Sequence, residues 1–435
     1  MRLKGEEMSD YDAMWEKLGI DLVAHAGLLE VLPPLYRENI LSQENRPRGM
    51  EYFDFVFSEV HGLRVKELVE RREGGGVVVG TFCTYVPEEL IVAAGGICVG
   101  LCAGAQVAAE EAEKFLPRNI CALIKSSLGF KLAKVCPYIE SCDLLVGETT
   151  CDGKKKYFEI LGELQPVHVM EVPQMKLEQD RDLWRKEVRR LLARLEELGG
   201  VKVDLEGLRE AVRLINDKRR ALLRLEELRK SDPPVISGRD ALLINQIAFY
   251  DDPARLSEKI NALCDELEER KAGGESIGGA HRPRVLLSGC PMALPNWKVA
   301  TIIETSGAVV AMDEMCTGIR YFDNLVDEEA ADMDALLDNI ADRYLKIHCA
   351  IFTPNRERME HIKELVRDYD IDAVVYYALQ FCDPYTVEAN AVRRDLEELG
   401  VPFLYLETDY SAEDVGQLST RVQALIEMVG GGEKA

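Results

Sequence analysis

The chain has 435 residues, 47% of them apolar, and its 53 basic residues face 77 acidic ones for a formal net charge of -24. That length suits two or three domains with sizeable cores and excludes a disordered chain. The acidic balance excludes nucleic acid as a partner, since no basic surface could offset phosphate repulsion, and no apolar run approaches the ~20 residues needed to cross a bilayer.

The opening run MRLKGEEMSDYDAMWEKLG is charged throughout and lacks the apolar stretch of a secretory signal, so a cytoplasmic location is expected. Residues 1–72 read as an N-terminal helical segment. A first α/β domain is expected over 73–174. GVVVGTF (76–82) is a short β-branched run bounded by glycine, as a buried parallel strand should be. PEELIVAAGG follows as a helix, with proline in its first turn and glycine at its end. ICVGL, DLLVGE and PVHVMEV supply further strands, with helices expected at 106–115 and 119–134.

Residues 175–280 change character, to a helical section and linker. Trp184, Val188, Leu191, Leu195 and Leu198 fall at helical spacing, as do Leu205, Leu208, Val212 and Ile215, with charges between them. These stripes are most simply packing faces. KAGGESIGGAHRP reads as a flexible linker. A second α/β domain occupies 281–435, with strands RVLLSG, GAVVAMDE, DAVVYYALQ and PFLYLETD and helices expected at 295–306, 328–345, 357–368, 385–399 and 411–429. Alternating β and α over both ends implies doubly wound parallel sheets.

In such sheets ligands bind at the carboxyl ends of the strands, and cysteines gather there. Of the twelve in the chain, Cys83 follows GVVVGTF, Cys151 follows DLLVGETT, Cys290 follows RVLLSG, Cys316 follows GAVVAMDEM and Cys382 follows VVYYALQF. Cys121 and Cys136 flank the helix leading to the same edge. In a reducing compartment such thiols are core hydrophobes, metal ligands or nucleophiles. Zinc sites usually show CxxC pairs, which are missing here, and the six histidines (His25, His61, His168, His281, His348, His361) form no ligand spacing. Separate thiolates converging from several loops suit an iron–sulfur cluster better. Cys98 and Cys264 sit in apolar or helical stretches and read as structural; Cys102, Cys142 and Cys349 are left open.

GTFCTYVPEELIVAAGG, LPRNICALIKSSLGFKLAKVCPY and DLLVGETTCDGKKKYFEIL resemble the 2-hydroxyacyl-CoA dehydratase and benzoyl-CoA reductase superfamily. So do GCPMALPNWKVATIIETSGAVVAMDEMCTG, the QFCDPY turn and LETDYSAEDVGQLSTRVQALIEM. Within it the chain looks most similar to the double-cubane cluster proteins. The resemblance implies two Rossmann-like doubly wound parallel-sheet domains with additional helices and the cluster in the inter-domain cleft. It also implies a homodimer, each protomer holding two [4Fe-4S] units bridged by sulfide, an [8Fe-9S] cluster, through six cysteines. Counterparts of Cys83, Cys121, Cys151 and Cys382 recur among ordinary dehydratase subunits, which hold a single [4Fe-4S] cluster with three cysteines. Cys136, Cys290 and Cys316 look like the additions of the double-cubane branch. Seven candidates thus stand for six places, with Cys136 and Cys290 the first to give up.

The resemblance further implies low-potential reduction of a small-molecule substrate, with electrons delivered singly by an ATP-hydrolysing iron–sulfur activator. Each ~59 mV is tenfold in the equilibrium constant for one electron, and two linked cubanes would store two electrons. No GxxxxGKS/T sequence occurs, so ATP binding falls to the partner. Glu148, Asp152 and Lys125 are candidate proton relays. Lys154, Lys155 and Lys156 could neutralise an anionic cluster or begin a solvated helix. Two other readings stand beside this one: a 2-hydroxyacyl-CoA dehydratase subunit (a lyase with a single [4Fe-4S] cluster), and a non-catalytic electron carrier.

Overall fold

The computed structural model describes residues 11–278 and 281–430. Residues 1–10 of the charged N-terminal run, 279 and 280 of the expected linker, and 431–435 lie outside them. Two four-stranded, all-parallel sheets form. The first comprises Val78–Thr81 (β1), Ile97–Gly100 (β2), Leu144–Glu148 (β3) and Val167–Met170 (β4), in the order β2-β1-β3-β4. The second comprises Arg284–Gly289 (β5), Val309–Glu314 (β6), Ala373–Leu379 (β7) and Phe403–Thr408 (β8), in the order β6-β5-β7-β8. Both halves therefore share one strand order.

Burial explains the composition of these strands. Every residue of β1, β3, β5, β6 and β7 is buried, which is why they read as continuous apolar runs rather than alternating ones. The edge strands β4 and β8 are only partly covered. In each sheet the chain leaves the first strand on one side and returns on the other, so a crevice opens at the carboxyl ends of β1 and β3, and of β5 and β7.

The leucine stripes do form packing faces. Trp184, Val188, Leu191 and Leu195 are buried on the helix Glu178–Gly199, and Leu208, Val212 and Ile215 on the helix Leu205–Leu228. The second helix starts at Asp204, whose side chain accepts from Gly207 N. Burial of each such leucine is worth about 1.5–3 kcal/mol. These helices also stitch the two halves together. Arg219 bonds Glu89 Oε1 of the first half at 2.6 Å and Tyr344 OH of the second at 3.0 Å.

Two expectations at the helix level are corrected. Pro87 caps the helix Glu88–Ala93 rather than sitting in its first turn. The helix expected at 106–115 shrinks to Ala109–Ala112, because the chain before it is drawn across to the other half. Gly104 N donates to Leu294 O at 2.9 Å, and a Cβ at Gly104 would stand 2.0 Å from Ala293 O. Only glycine permits that approach. With Gly100 N bonding Phe249 O at 2.7 Å and Thr353 N bonding Gln174 O at 2.9 Å, these crossings bring the carboxyl edges of the two sheets face to face.

Candidate metal centre

Where the two edges meet lies a cavity of about 1090 Å³. Loops after β1, β2, β3, β6 and β7 deliver Cys83, Cys102, Cys151, Cys316 and Cys382 to its wall. Cys121, Cys136 and Cys349 also line it. Cys121, Cys151 and Cys382 each occupy the N-cap position of a helix, where free backbone N–H groups favour a thiolate. Cys151 Sγ accepts from Lys154 N at 3.4 Å. Cys382 owes its direction to Phe381, which takes a left-handed φ of 64° uncommon for a large side chain.

The thiols fall into two sets. In one, Cys83 and Cys316 are hydrogen-bonded to each other, and Cys349 acts electrostatically on Cys316. Tyr85 stands beside all three of them. In the other, Cys121 and Cys382 are hydrogen-bonded and Cys151 is their neighbour. Cys290 hydrogen-bonds Cys382, but it is fully buried and its Sγ accepts from Leu379 N at 3.4 Å, in the seam between β5 and β7.

Spacing and electrostatics bear on what such thiols can hold. Sulfurs on one tetrahedral zinc ion stand about 3.8 Å apart, as a Zn–S bond of about 2.3 Å requires. Among the described residues no three thiols lie within 4.8 Å of one another, so the sets are spaced for a larger group than one ion. Most of these thiols are held in the protonated form by burial and by one another. The neighbouring thiol first and burial second push Cys121 and Cys316 well up, and burial pushes Cys151 up to about 11. Cys83 goes the other way, down to about 5, held by the hydrogen bond from Cys316 and then helped by Lys154. Binding a cationic centre would release the remaining protons.

Two cations already flank the thiols. Lys154 pairs with the buried Glu148 and reaches Phe82 O at 3.4 Å, beside Cys83. Arg320 pairs with Glu314 at 3.1 Å and favours the thiolate of Cys316. Two buried hydroxyls lie near the thiols. Tyr85 OH, near Cys83, Cys316 and Cys349, and Tyr410 OH, near Cys121 and Cys290, are buried without a hydrogen-bond partner. A buried donor of that kind calls for an acceptor, and cluster sulfur is one.

The remaining sequence candidates stand outside the two thiol sets. Cys136 lines the cavity at the far end of the helix Ala122–Leu132 from Cys121, a span of about 16 Å at 1.5 Å per residue. Burial pushes it up to about 11, and its neighbours are Tyr138 N, Ile139 N, Glu140 and Lys131. Glu148 sits at the end of β3 with one oxygen on Lys154 and the other unpartnered. Asp152 is exposed and pairs with Lys155 at 3.1 Å. Lys125 bonds Glu113 Oε1 and Arg118 O, both at 2.9 Å, away from the thiols. Cys102 and Cys142 are committed to the carbonyls of Phe82 and Tyr138, each at 3.1 Å. Cys349, left open from sequence, lines the cavity as well. It follows a helix rather than a strand, so strand-end counting passes over it.

The family profile described as 2-hydroxyglutaryl-CoA dehydratase, D-component, matches residues 83–429. The chain belongs to this family. The matched span holds every thiol of both sets. Among its relatives, YjiM of Escherichia coli (strain K12), provisionally named a dehydratase subunit, is 41% identical over 86% of this chain and 97% of its own. The (R)-phenyllactyl-CoA dehydratase beta subunit of Clostridium sporogenes is 25% identical over 81% of this chain and 92% of its own. A benzoyl-CoA reductase subunit of Thauera aromatica is 23% identical over 78% and 87%. The chain thus falls in the 2-hydroxyacyl-CoA dehydratase and benzoyl-CoA reductase superfamily, the profile match running from just after β1 to the last helix, and no described helix is long and apolar enough to cross a membrane.

Proposed function

We propose that this member of the dehydratase family is an iron–sulfur reductase whose cavity takes an [8Fe-9S] double cubane. Cys83, Cys316 and Cys349 would hold one [4Fe-4S] half, and Cys121, Cys151 and Cys382 the other. The observation that carries this is the sorting of six of the eight thiols lining the cavity into two sets of three within one chain. Cys290 and Cys136, the extra sequence candidates, stand outside the six as a seam thiol and a distant one. Bound there, the cluster would supply low-potential electrons, stored in pairs and received singly from an ATP-hydrolysing activator component. Of the chain's own residues, Lys154 and Arg320 would offset its anionic charge, and Tyr85 and Tyr410 would donate to its sulfurs. A homodimer and a small-molecule substrate belong to the same reading.

The names of the relatives favour a second reading, a dehydratase subunit with a single [4Fe-4S] cluster. Iron and acid-labile sulfide, quantified on anaerobically purified protein, separate the two. About eight irons per chain supports the double cubane and about four the single cluster. Iron-free protein that binds only zinc at these thiols would remove both. A cluster that stays oxidised with activator and ATP present would overturn the electron route.

A further inference from the structure

A second set of metal-ligand side chains lies outside the thiol cavity. Asp323 ends the short helix Ile319–Phe322, His348 stands in the loop after the helix Met333–Leu345, and His361 lies on the helix Arg356–Asp368. Sequence spacing gives no hint of them as a group. In the fold, one nitrogen of each imidazole and one carboxylate oxygen lie within 4.8 Å of one another. The two rings are stacked, with centroids 4.3 Å apart. His348 Nδ1 and His361 Nε2 are buried and have no hydrogen-bond partner. Buried ring nitrogens are normally satisfied, so two orphaned ones beside a carboxylate ask for a shared partner with positive charge.

We propose that Asp323, His348 and His361 form a mononuclear site for a divalent transition-metal ion of the zinc class. Two neutral imidazoles and one carboxylate are an established ligand set for such ions, and they leave a position open for water. The turn carrying Asp323 is already held. Arg343 donates to Tyr321 O at 2.6 Å, Asp323 O at 3.3 Å and Asn324 O at 3.1 Å. His348 immediately precedes Cys349. A metal ion here would tie that loop to two helices at the edge of the thiol cavity. The site stands on its own residues and does not depend on which cluster the cysteines hold.

The test uses the anaerobic full-length protein with its iron and sulfide quantified. It is freed of loosely bound metal with a chelator, loaded with zinc(II), passed over a desalting column and assayed by elemental analysis. The expected result is one zinc per chain, with loss of at least about tenfold in zinc affinity in both Asp323→Asn and His361→Gln. Iron and sulfide per chain should be the same in all three proteins. Asp323→Asn preserves shape, so matched thermal melts separate lost ligation from lost folding. Wild-type protein that retains no zinc overturns the proposal. So does zinc that both variants retain undiminished, because the ion would then sit at the thiols.

Discussion

The thiols of Cys83 and Cys316 are hydrogen-bonded to each other although they follow strands of different sheets. Burial alone would raise both. Instead the pair polarises, with Cys83 lowered and Cys316 raised, because a donor thiol favours its neighbour's thiolate. That contact joins the carboxyl edges of the two sheets. Cys349 completes the set from a third direction.

Removing one thiol set should therefore remove one cubane. Cys349→Ala is expected to lower iron and sulfide by about half, whereas Cys136→Ala should keep the wild-type amount. Elemental analysis of the anaerobically purified variants reads this directly. Equal iron in both variants would dismiss Cys349 as a ligand.

Lys154→Met leaves Glu148 as a fully buried carboxylate without its partner. Breaking such a pair costs about 3–5 kcal/mol. The variant should show that loss in denaturant melts at neutral pH, and less of it in acid, where Glu148 takes up a proton. Adding Glu148→Gln should restore much of the stability, since the stranded charge is gone.

Arg320→Met is expected to cost a similar amount. The guanidinium is fully buried and holds Glu314, the carbonyl of Glu314 at 2.9 Å, Gly289 O and Tyr385 OH. Glu314 keeps Arg358 at 2.8 Å, so its charge is not wholly stranded. A loss nearer to about 3 than 5 kcal/mol follows, read by the same melts.

Tyr85→Phe should make the bound cluster harder to reduce. A hydroxyl donating to cluster sulfur stabilises the more negative, reduced state. A hydrogen bond worth about 1 kcal/mol corresponds to a shift of about 40 mV downward. Potentiometric titration followed by electron paramagnetic resonance would detect it, and an unchanged potential would exclude that hydrogen bond.

Acid should destabilise the chain through His25 and His61. Their ring nitrogens are 2.9 Å apart, and burial lowers His25 to about 4 and His61 to about 3. In the unfolded chain both titrate near 6.5, so below that pH the unfolded state binds more protons than the folded one. Stability is then full above about 6.5 and falls as pH drops toward 4, by roughly 3 kcal/mol for His25 alone. Denaturant melts across that window should show a shallower slope in His25→Phe.

The strands coincide with short apolar runs of the sequence, and β1, β3, β5, β6 and β7 do not alternate because every one of their residues is buried. The leucine stripes announced the helical middle because a packing face repeats with the helix period. Local composition could not reveal that Gly104 must cross to Leu294, so the helix expected at 106–115 came out too long. Of the strand-end cysteines, Cys83, Cys151, Cys316 and Cys382 reach the cavity wall and Cys290 lies in the β5–β7 seam, while Cys349, which also lines the cavity, follows a helix and carries no strand-end signal.

The sequence by itself determined the layered α/β class and the sheet edge at which most of the cavity thiols gather. These are matters of residue type and short-range periodicity. Which thiols share a neighbourhood was decided only by tertiary structure, as was the meeting of Asp323, His348 and His361. Distances between chain-remote side chains depend on how two sheets and the helices between them dock. Cys83 and Cys316 are neighbours because Gly100, Gly104 and Arg219 hold the halves together, and no spacing along the chain records that.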